Sequence, residues 1–204
     1  PNAGKSTLVN QLLGEERLLT GDQPGVTRDA NSLDWAYGGQ QIRLVDTAGL
    51  RRKSRIDDPL EKMAAQDTLE AIRYADVVVL VLDGRAPLEK QDLNIASQVI
   101  DEGRALVLAV NKMDLVPHGF MKEVHYILER LLPQVKGIPC LPVSALFDKN
   151  LDSLMTEVLK IYEIWNKRIG TGPLNRWLEE ATNRHPLPLV GGGRLRIKYM
   201  TQMK

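Results

Sequence analysis

Ala105-Leu106-Val107-Leu108-Ala109-Val110-Asn111-Lys112-Met113-Asp114 is the stretch whose reading decides the fold. An unbroken apolar run stops at Asn-Lys-x-Asp. A short β-rich run without alternation suits a strand buried on both faces, as in a parallel sheet covered by helices. The same pattern recurs along the chain. Val77-Val78-Val79-Leu80-Val81-Leu82 ends at Asp83, Ile138 to Val143 ends at Ser144, and Ile42 to Val45 ends at Asp46. Helical patterns lie between these runs, at Leu60 to Arg73, Gln91 to Glu102 and Lys122 to Leu132, the last closed by Pro133. Further on, Leu151, Leu154, Met155, Val158, Tyr162 and Trp165 recur at spacings of three and four, one apolar helix face. Alternating strands and helices predict an α/β fold with a doubly wound, mostly parallel sheet. Gly38-Gly39, between Leu33–Tyr37 and Gln41–Val45, predicts a β-hairpin turn that adds one antiparallel edge strand.

Composition narrows the class. An apolar fraction of 43% is that of a folded chain and argues against disorder. No apolar run approaches the roughly 18 residues of a membrane span, and no signal peptide opens the chain, so no membrane partner is expected. The single cysteine, Cys140, excludes an internal disulfide, fits a reducing cytoplasm and reads as a small core residue. His118, His125 and His185 lack metal-ligand spacing. A net charge of +1 gives no general attraction to nucleic acid, though local basic clusters exist.

In doubly wound sheets ligands bind beyond the C-terminal ends of the strands. The polar residues that end the runs are therefore the candidates. Pro1-Asn2-Ala3-Gly4-Lys5-Ser6 matches the latter part of the phosphate-binding pattern G-x-x-x-x-G-K-S/T, whose first glycine would precede Pro1. Gly4 lets backbone N–H groups curl round phosphate oxygens, Lys5 puts a point charge on the β- and γ-phosphates, and the Ser6 hydroxyl suits Mg2+. The helix from Ser6 to Leu13 aims its positive end at the same place, with Ala3 and Thr7 beside it. A helix start with a chance lysine reads these residues equally well when they are taken alone. Asp46-Thr47-Ala48-Gly49 ends another run; the Asp46 carboxylate can hold the metal, and Gly49 permits close backbone approach to the γ-phosphate. At Asn111-Lys112-Met113-Asp114, the Asp114 carboxylate can accept hydrogen bonds from guanine N1–H and the 2-amino group, donors that adenine lacks. Such a site can reject the wrong base by about 10⁴-fold. Asn111 and Lys112 would brace the loop and the base. Ser144-Ala145-Leu146 follows the next run, where the Ala145 N–H can meet the guanine 6-oxo group.

Each signal has a bland reading as a turn or polar loop, but the four occur in order, each at a strand end or at the start of the loop helix. Together they resemble the translation-factor-type GTPases over about residues 1–165. Pro24-Gly25-Val26-Thr27-Arg28-Asp29 is similar to a first switch region, which implies Thr27 as a ligand of Mg2+ and the γ-phosphate. Leu50 stands where many Ras-like proteins have a water-orienting glutamine. GTPases of this type often hold K+ through an asparagine two residues before the loop glycine, here Asn2, so that the cation supplies charge in the transition state. On these grounds Lys5, Thr27 and Gly49 are the expected catalytic residues. Ser6, Thr27 and Asp46 are the expected Mg2+ site.

Residues 46–53 (Asp-Thr-Ala-Gly-Leu-Arg-Arg-Lys), Arg17-Leu18-Leu19-Thr20-Gly21 and Leu174-Asn175-Arg176-Trp177-Leu178-Glu179-Glu180-Ala181 resemble the Der, or EngA, family of tandem GTPases. The resemblance is to the second GTPase domain and the opening of the C-terminal KH-like domain. It implies GTP and GDP as ligands, GTP hydrolysis, and the large ribosomal subunit, both RNA and protein, as partner. Two alternatives stay open: a catalytically weak guanine-nucleotide scaffold, and a tRNA-modification GTPase similar to MnmE. The expected domains are 1–168, a P-loop GTPase domain without its first strand and first loop glycine, and 169–204, a linker and the start of a KH-like α+β domain. In the latter, Ile169 to Pro173 reads as linker, Leu174 to Asn183 as helix and Arg194 to Met200 as a half-exposed strand. Arg51-Arg52-Lys53-Ser54-Arg55 reads either as an RNA or domain contact or as a solvated loop. A monomer that binds nucleotide poorly for want of its first strand is the expectation for this chain.

Overall fold

The computed structural model describes residues 3–15, 32–45, 61–117, 119–132, 137–190 and 193–202. The chain divides into two compact units, Pro1–Trp165 and Asn166–Lys204. In the first, helix α1 (Lys5–Glu15) is followed by strands β1 (Ser32–Tyr37) and β2 (Gln40–Val45), helix α2 (Glu61–Tyr74) and strand β3 (Val77–Asp83). Then come α3 (Lys90–Asp101), β4 (Ala105–Asn111), α4 (Phe120–Leu131), β5 (Cys140–Pro142) and α5 (Leu151–Trp165). The helices lie within about three residues of the spans read from periodicity, the usual uncertainty of helix ends.

Strands β3, β4 and β5 form a parallel sheet in that order. Every residue of β4 is buried, yet the pleat still sorts its side chains into two sets. Leu106, Leu108 and Val110 pack with Ile72 of α2, Ala96 and Val99 of α3, and Val124 and Leu128 of α4. Val107 and Ala109 pack with Leu8 of α1 and with Leu151 and Leu154 of α5. Helices thus cover both faces of the strand, which is why its sequence runs apolar without alternation. Each such buried aliphatic side chain contributes about 1.5–3 kcal/mol of transfer free energy. On α5, Leu151, Leu154 and Met155 are buried as the helical spacing requires, and the Trp165 Nε1–H donates to the Gly103 carbonyl at 2.7 Å.

The hairpin forms where the sequence places it. Gly38 and Gly39 take φ of 56° and 79°, the two positive values that a tight two-residue turn between twisted strands demands. Its position differs from expectation. β1 and β2 make a sheet of their own, and among the described residues no ladder joins them to β3. The hairpin is seated instead by side chains: Trp35 is buried, and the Tyr37 hydroxyl donates to Asp152 of α5 at 2.8 Å.

The second unit corrects two expectations. Helix α6 runs Thr171–Arg184, so three of the five residues expected as linker form its first turn. Pro173 is tolerated there because the first N–H groups of a helix have no intrahelical acceptor. The strand expected from Arg194 to Met200 is only a two-residue ladder, β6 (Leu189–Val190) against β7 (Gly193–Arg194). Beyond it Asn175 does the work of a neighbouring strand: its amide accepts the Met200 N–H at 2.8 Å and donates to the Met200 carbonyl at 2.9 Å.

Two outcomes follow from this packing. Asn175→Ala removes both partners of Met200, and amide exchange at Met200 should quicken about tenfold while that of the middle of α6 changes little; equal rates in the two proteins would refute the role given to Asn175. Burial pushes the Cys140 thiol from 9.0 up to about 11, so its neutral form is favoured by the fold. The associated stability is complete below about pH 9 and is lost as pH rises towards 11. At about pH 8 Ellman's reagent should modify native Cys140 slowly and the urea-unfolded chain quickly.

Candidate nucleotide-binding site

The ends of β4 and β5, with the turn into α1, meet on one side chain. Asn111 closes β4 and is 2% exposed. Its Nδ2–H donates to the Ala3 carbonyl at 2.8 Å, and its Oδ1 accepts the Ala145 N–H at 2.9 Å. One buried amide therefore joins the phosphate-loop segment, the Asn-Lys-x-Asp loop and the Ser-Ala-Leu loop. Gly4 sits against it with φ of 90°. A Cβ there would lie 2.5 Å from Asn111 Nδ2, so only glycine permits this approach. From Gly4 the chain enters α1: the Gly4 carbonyl accepts the Leu8 N–H, and Lys5, Ser6 and Thr7 are exposed on the first turn. The N–H groups of that turn have no intrahelical acceptor and carry the positive end of the helix dipole, the arrangement that holds a phosphate.

The base-reading candidates lie beside it. Lys112 takes a left-handed conformation, φ 63° and ψ 34°, and starts a single 3-10 turn, Met113–Leu115. This turn presents Asp114, whose Oδ1 accepts the Ser144 hydroxyl at 2.5 Å. Backbone bonds fix the two loops to each other: Val143 N–H to the Val110 carbonyl at 2.8 Å and Met113 N–H to the Val143 carbonyl at 3.2 Å. Ser144 and Lys149 exchange both backbone bonds and close the second loop. Leu146 and Phe147 are exposed on it, as Leu115 is on the first.

Of the residues singled out in the sequence, Ala3, Gly4, Asn111, Ser144, Ala145 and Asp114 are thus linked by direct bonds or close approach. Lys5, Ser6 and Thr7 follow at the helix start, and Leu146 follows Ala145. Asn2, Thr27, Asp46 and Gly49, together with Leu50 and the basic residues 51–55, lie outside the described residues.

A family model described as 50S ribosome-binding GTPase matches residues 1–112. The chain belongs to this family. A second model, KH-domain-like of EngA bacterial GTPase enzymes, C-terminal, matches residues 168–204. The chain is 55% identical over 206 residues to the GTPase Der of Mesorhizobium japonicum, with all of this chain and 43% of that protein covered. It is 51% identical over 209 residues to the GTPase Der of Rickettsia akari, with all of this chain and 47% of that protein covered. It therefore spans a little under half the length of these relatives. Among solved structures, Era in complex with MgGDPNP and a segment of 16S ribosomal RNA aligns with a TM-score of 0.59 at 25% identity, over 79% of this chain and 53% of that one. The fold is that of a P-loop GTPase.

Sequence reasoning passed over the turn after β3. Asp83 was visible only as the polar end of an apolar run. In the structure its carboxylate accepts the Lys112 ammonium at 2.6 Å and both Nε and Nη2 of Arg85, at 3.0 and 2.7 Å. The hydrogen bonds from Arg85, and then from Lys112, hold its carboxyl well below the usual carboxylate range. An Asp-Gly pair ending a parallel strand was the available signal; Arg85 carried none.

Gly4→Ala should break the close approach to Asn111. The expected result is a loss of about 1–3 kcal/mol in stability, from the strained φ and the displaced amide, read by urea denaturation; an unchanged midpoint would refute it.

Proposed function

We propose that this chain binds guanine nucleotide at the Gly4–Asn111–Asp114 site and hydrolyses GTP to GDP and phosphate, as the switch element of a protein that acts in assembly of the large ribosomal subunit. The observation that carries the reading is the Asn111 tie. It couples a phosphate-holding helix start to a loop whose carboxylate, Asp114, is oriented by Ser144. Gly4, whose missing Cβ lets the loop backbone lie against the Asn111 amide, leads into that helix start with φ of 90°, a left-handed turn of the kind a phosphate-holding loop uses. Guanine recognition then falls to Asp114, which offers acceptors to N1–H and the 2-amino group, and to the Ala145 N–H near the 6-oxo group.

Hydrolysis in such a site comes from positioning and electrostatics. Lys5 places a fixed charge beside the β- and γ-phosphates, and the first turn of α1 directs its N–H groups at them. Mg2+, when bound, supplies further positive charge against the phosphate oxygens; Ser6 provides one hydroxyl for it, with Thr27 and Asp46 as the other expected ligands. Gly49 is expected to bring its backbone N–H close to the γ-phosphate, since it has no side chain to intervene. Asn2 is the expected K+ ligand, and K+ would compensate for Leu50, which cannot orient water. The matched relatives are named GTPase Der, and the match of residues 168–204 to the EngA C-terminal model favours a ribosomal role over a tRNA-modification enzyme. Leu50 keeps one second reading in play, a scaffold that binds nucleotide without useful turnover.

The test is competition against fluorescent GDP, run on this chain and on a version extended upstream through the first loop glycine. GTP and GDP should displace the probe and ATP should not; equal displacement by ATP overturns the base assignment. Asp114→Asn exchanges an acceptor for a donor and should shift preference from guanosine to xanthosine nucleotides by at least about tenfold. Turnover faster in K+ than in Na+ supports the switch enzyme. Turnover indifferent to K+ and near about 10⁻⁴ s⁻¹ supports the scaffold.

A further inference from the structure

The turn that follows β3 has no part in the nucleotide reading, yet it is built against the base-reading loop from three directions. Asp83 stands opposite Asn111 in the β3–β4 register. The Gly84 N–H donates to the Asn111 carbonyl at 2.7 Å. A Cβ on Gly84 would lie 2.7 Å from that carbonyl oxygen, 3.0 Å from Val116 Cγ2 and 3.5 Å from Met113 Sδ, so the turn abuts both ends of the loop that carries Lys112 and Asp114. The charged contact completes it. Lys112 Nζ and Asp83 Oδ2 are 2.6 Å apart, with side chains only 23% and 20% exposed. Arg85 engages both oxygens of the same carboxylate, and its own backbone N–H donates to Oδ1 at 3.0 Å. Turning the carboxylate away from Lys112 therefore means breaking several bonds together.

We infer that Asp83, braced by Arg85, is a positioning residue for guanine recognition: it pins the Lys112 side chain and thereby holds the Asn111–Asp114 loop in its base-reading shape. This role presupposes the guanine-nucleotide reading above. Lys112 needs such support because its backbone is left-handed, a conformation that costs a non-glycine residue energy and persists only when its surroundings enforce it. Asp114 lies two residues further along. A loop free to relax at Lys112 would carry the Asp114 carboxylate off the Ser144 hydroxyl that orients it. The link is one of pre-organisation: the loop's ordering cost is met before the nucleotide arrives.

The test combines amide exchange with a double-mutant cycle. Asp83→Asn keeps the shape and removes the charge. In the nucleotide-free chain it should quicken exchange at residues 112–116 and leave the amides of α5 unchanged. With fluorescent GDP it should weaken binding roughly tenfold, the size of a lost charge-assisted hydrogen bond. In a Lys112→Met background the same change should cost nothing further, because the group through which Asp83 acts is already gone. If Asp83→Asn lowers the melting temperature, Arg85→Gln, altered at a mostly exposed side chain, replaces it with an expected loss of about threefold. Unchanged exchange and affinity, or an equal loss in both backgrounds, overturns the assignment. A wild-type chain from which ATP displaces GDP as well as GTP does would bring down the guanine reading and this role together. A selective wild type with an unaffected Asp83→Asn would bring down this role alone.

Discussion

The site depends on one buried amide. Asn111 has both ends of its side chain occupied by backbone, the Ala3 carbonyl on one side and the Ala145 N–H on the other. In an interior of low dielectric, an amide satisfied at both ends is rigid, and one left unsatisfied would be costly. Three segments far apart in sequence are thereby held at fixed separations, and each is tied in turn to a helix or strand. The glycine at position 4 is the corollary, since any side chain there would occupy the space of the Asn111 amide.

That amide can serve as a hub because of the strand that carries it. β4 is buried along its whole length, with one set of side chains packed against α2, α3 and α4 and the other against α1 and α5. A strand so enclosed cannot shift register without moving both clusters. Its C-terminal end is therefore a firm base for loops whose own residues are polar and partly exposed. The parallel sheet brings the ends of β3 and β5 to the same side, so that Asp83, Asn111 and Ser144 are gathered by topology rather than by sequence proximity. Charge then refines the geometry: an Arg85–Asp83–Lys112 series presses on the loop from one side, and the Ser144 hydroxyl holds Asp114 from the other.

The second unit uses the same device at smaller scale. Asn175 on α6 takes the place of a ladder partner for Met200, while Gln202 accepts the Ile169 N–H and donates to the Lys167 carbonyl. Side-chain amides thus order backbone that regular secondary structure leaves unpaired. Leu195, Ile197 and Tyr199 remain more than half exposed on this segment.

By itself the sequence determined the fold class, because an apolar run without alternation has few homes other than a covered parallel strand. It singled out the candidate motif residues as well, because phosphate and guanine each demand particular donors and acceptors that short ordered motifs can spell out. Helix spans and the Gly38-Gly39 turn were legible for the same local reasons. Tertiary structure alone decided how the motifs are joined: that the Asn111 amide spans from Ala3 to Ala145, and that Asp83 meets Lys112 across two strands. It also decided that among the described residues the hairpin shares no ladder with the parallel strands, that α6 begins before its proline, and that the tail strand is replaced by Asn175. These depend on which distant groups arrive within hydrogen-bonding distance. Periodicity and local motifs report a residue's preferences, whereas such contacts are set by the packing of whole elements.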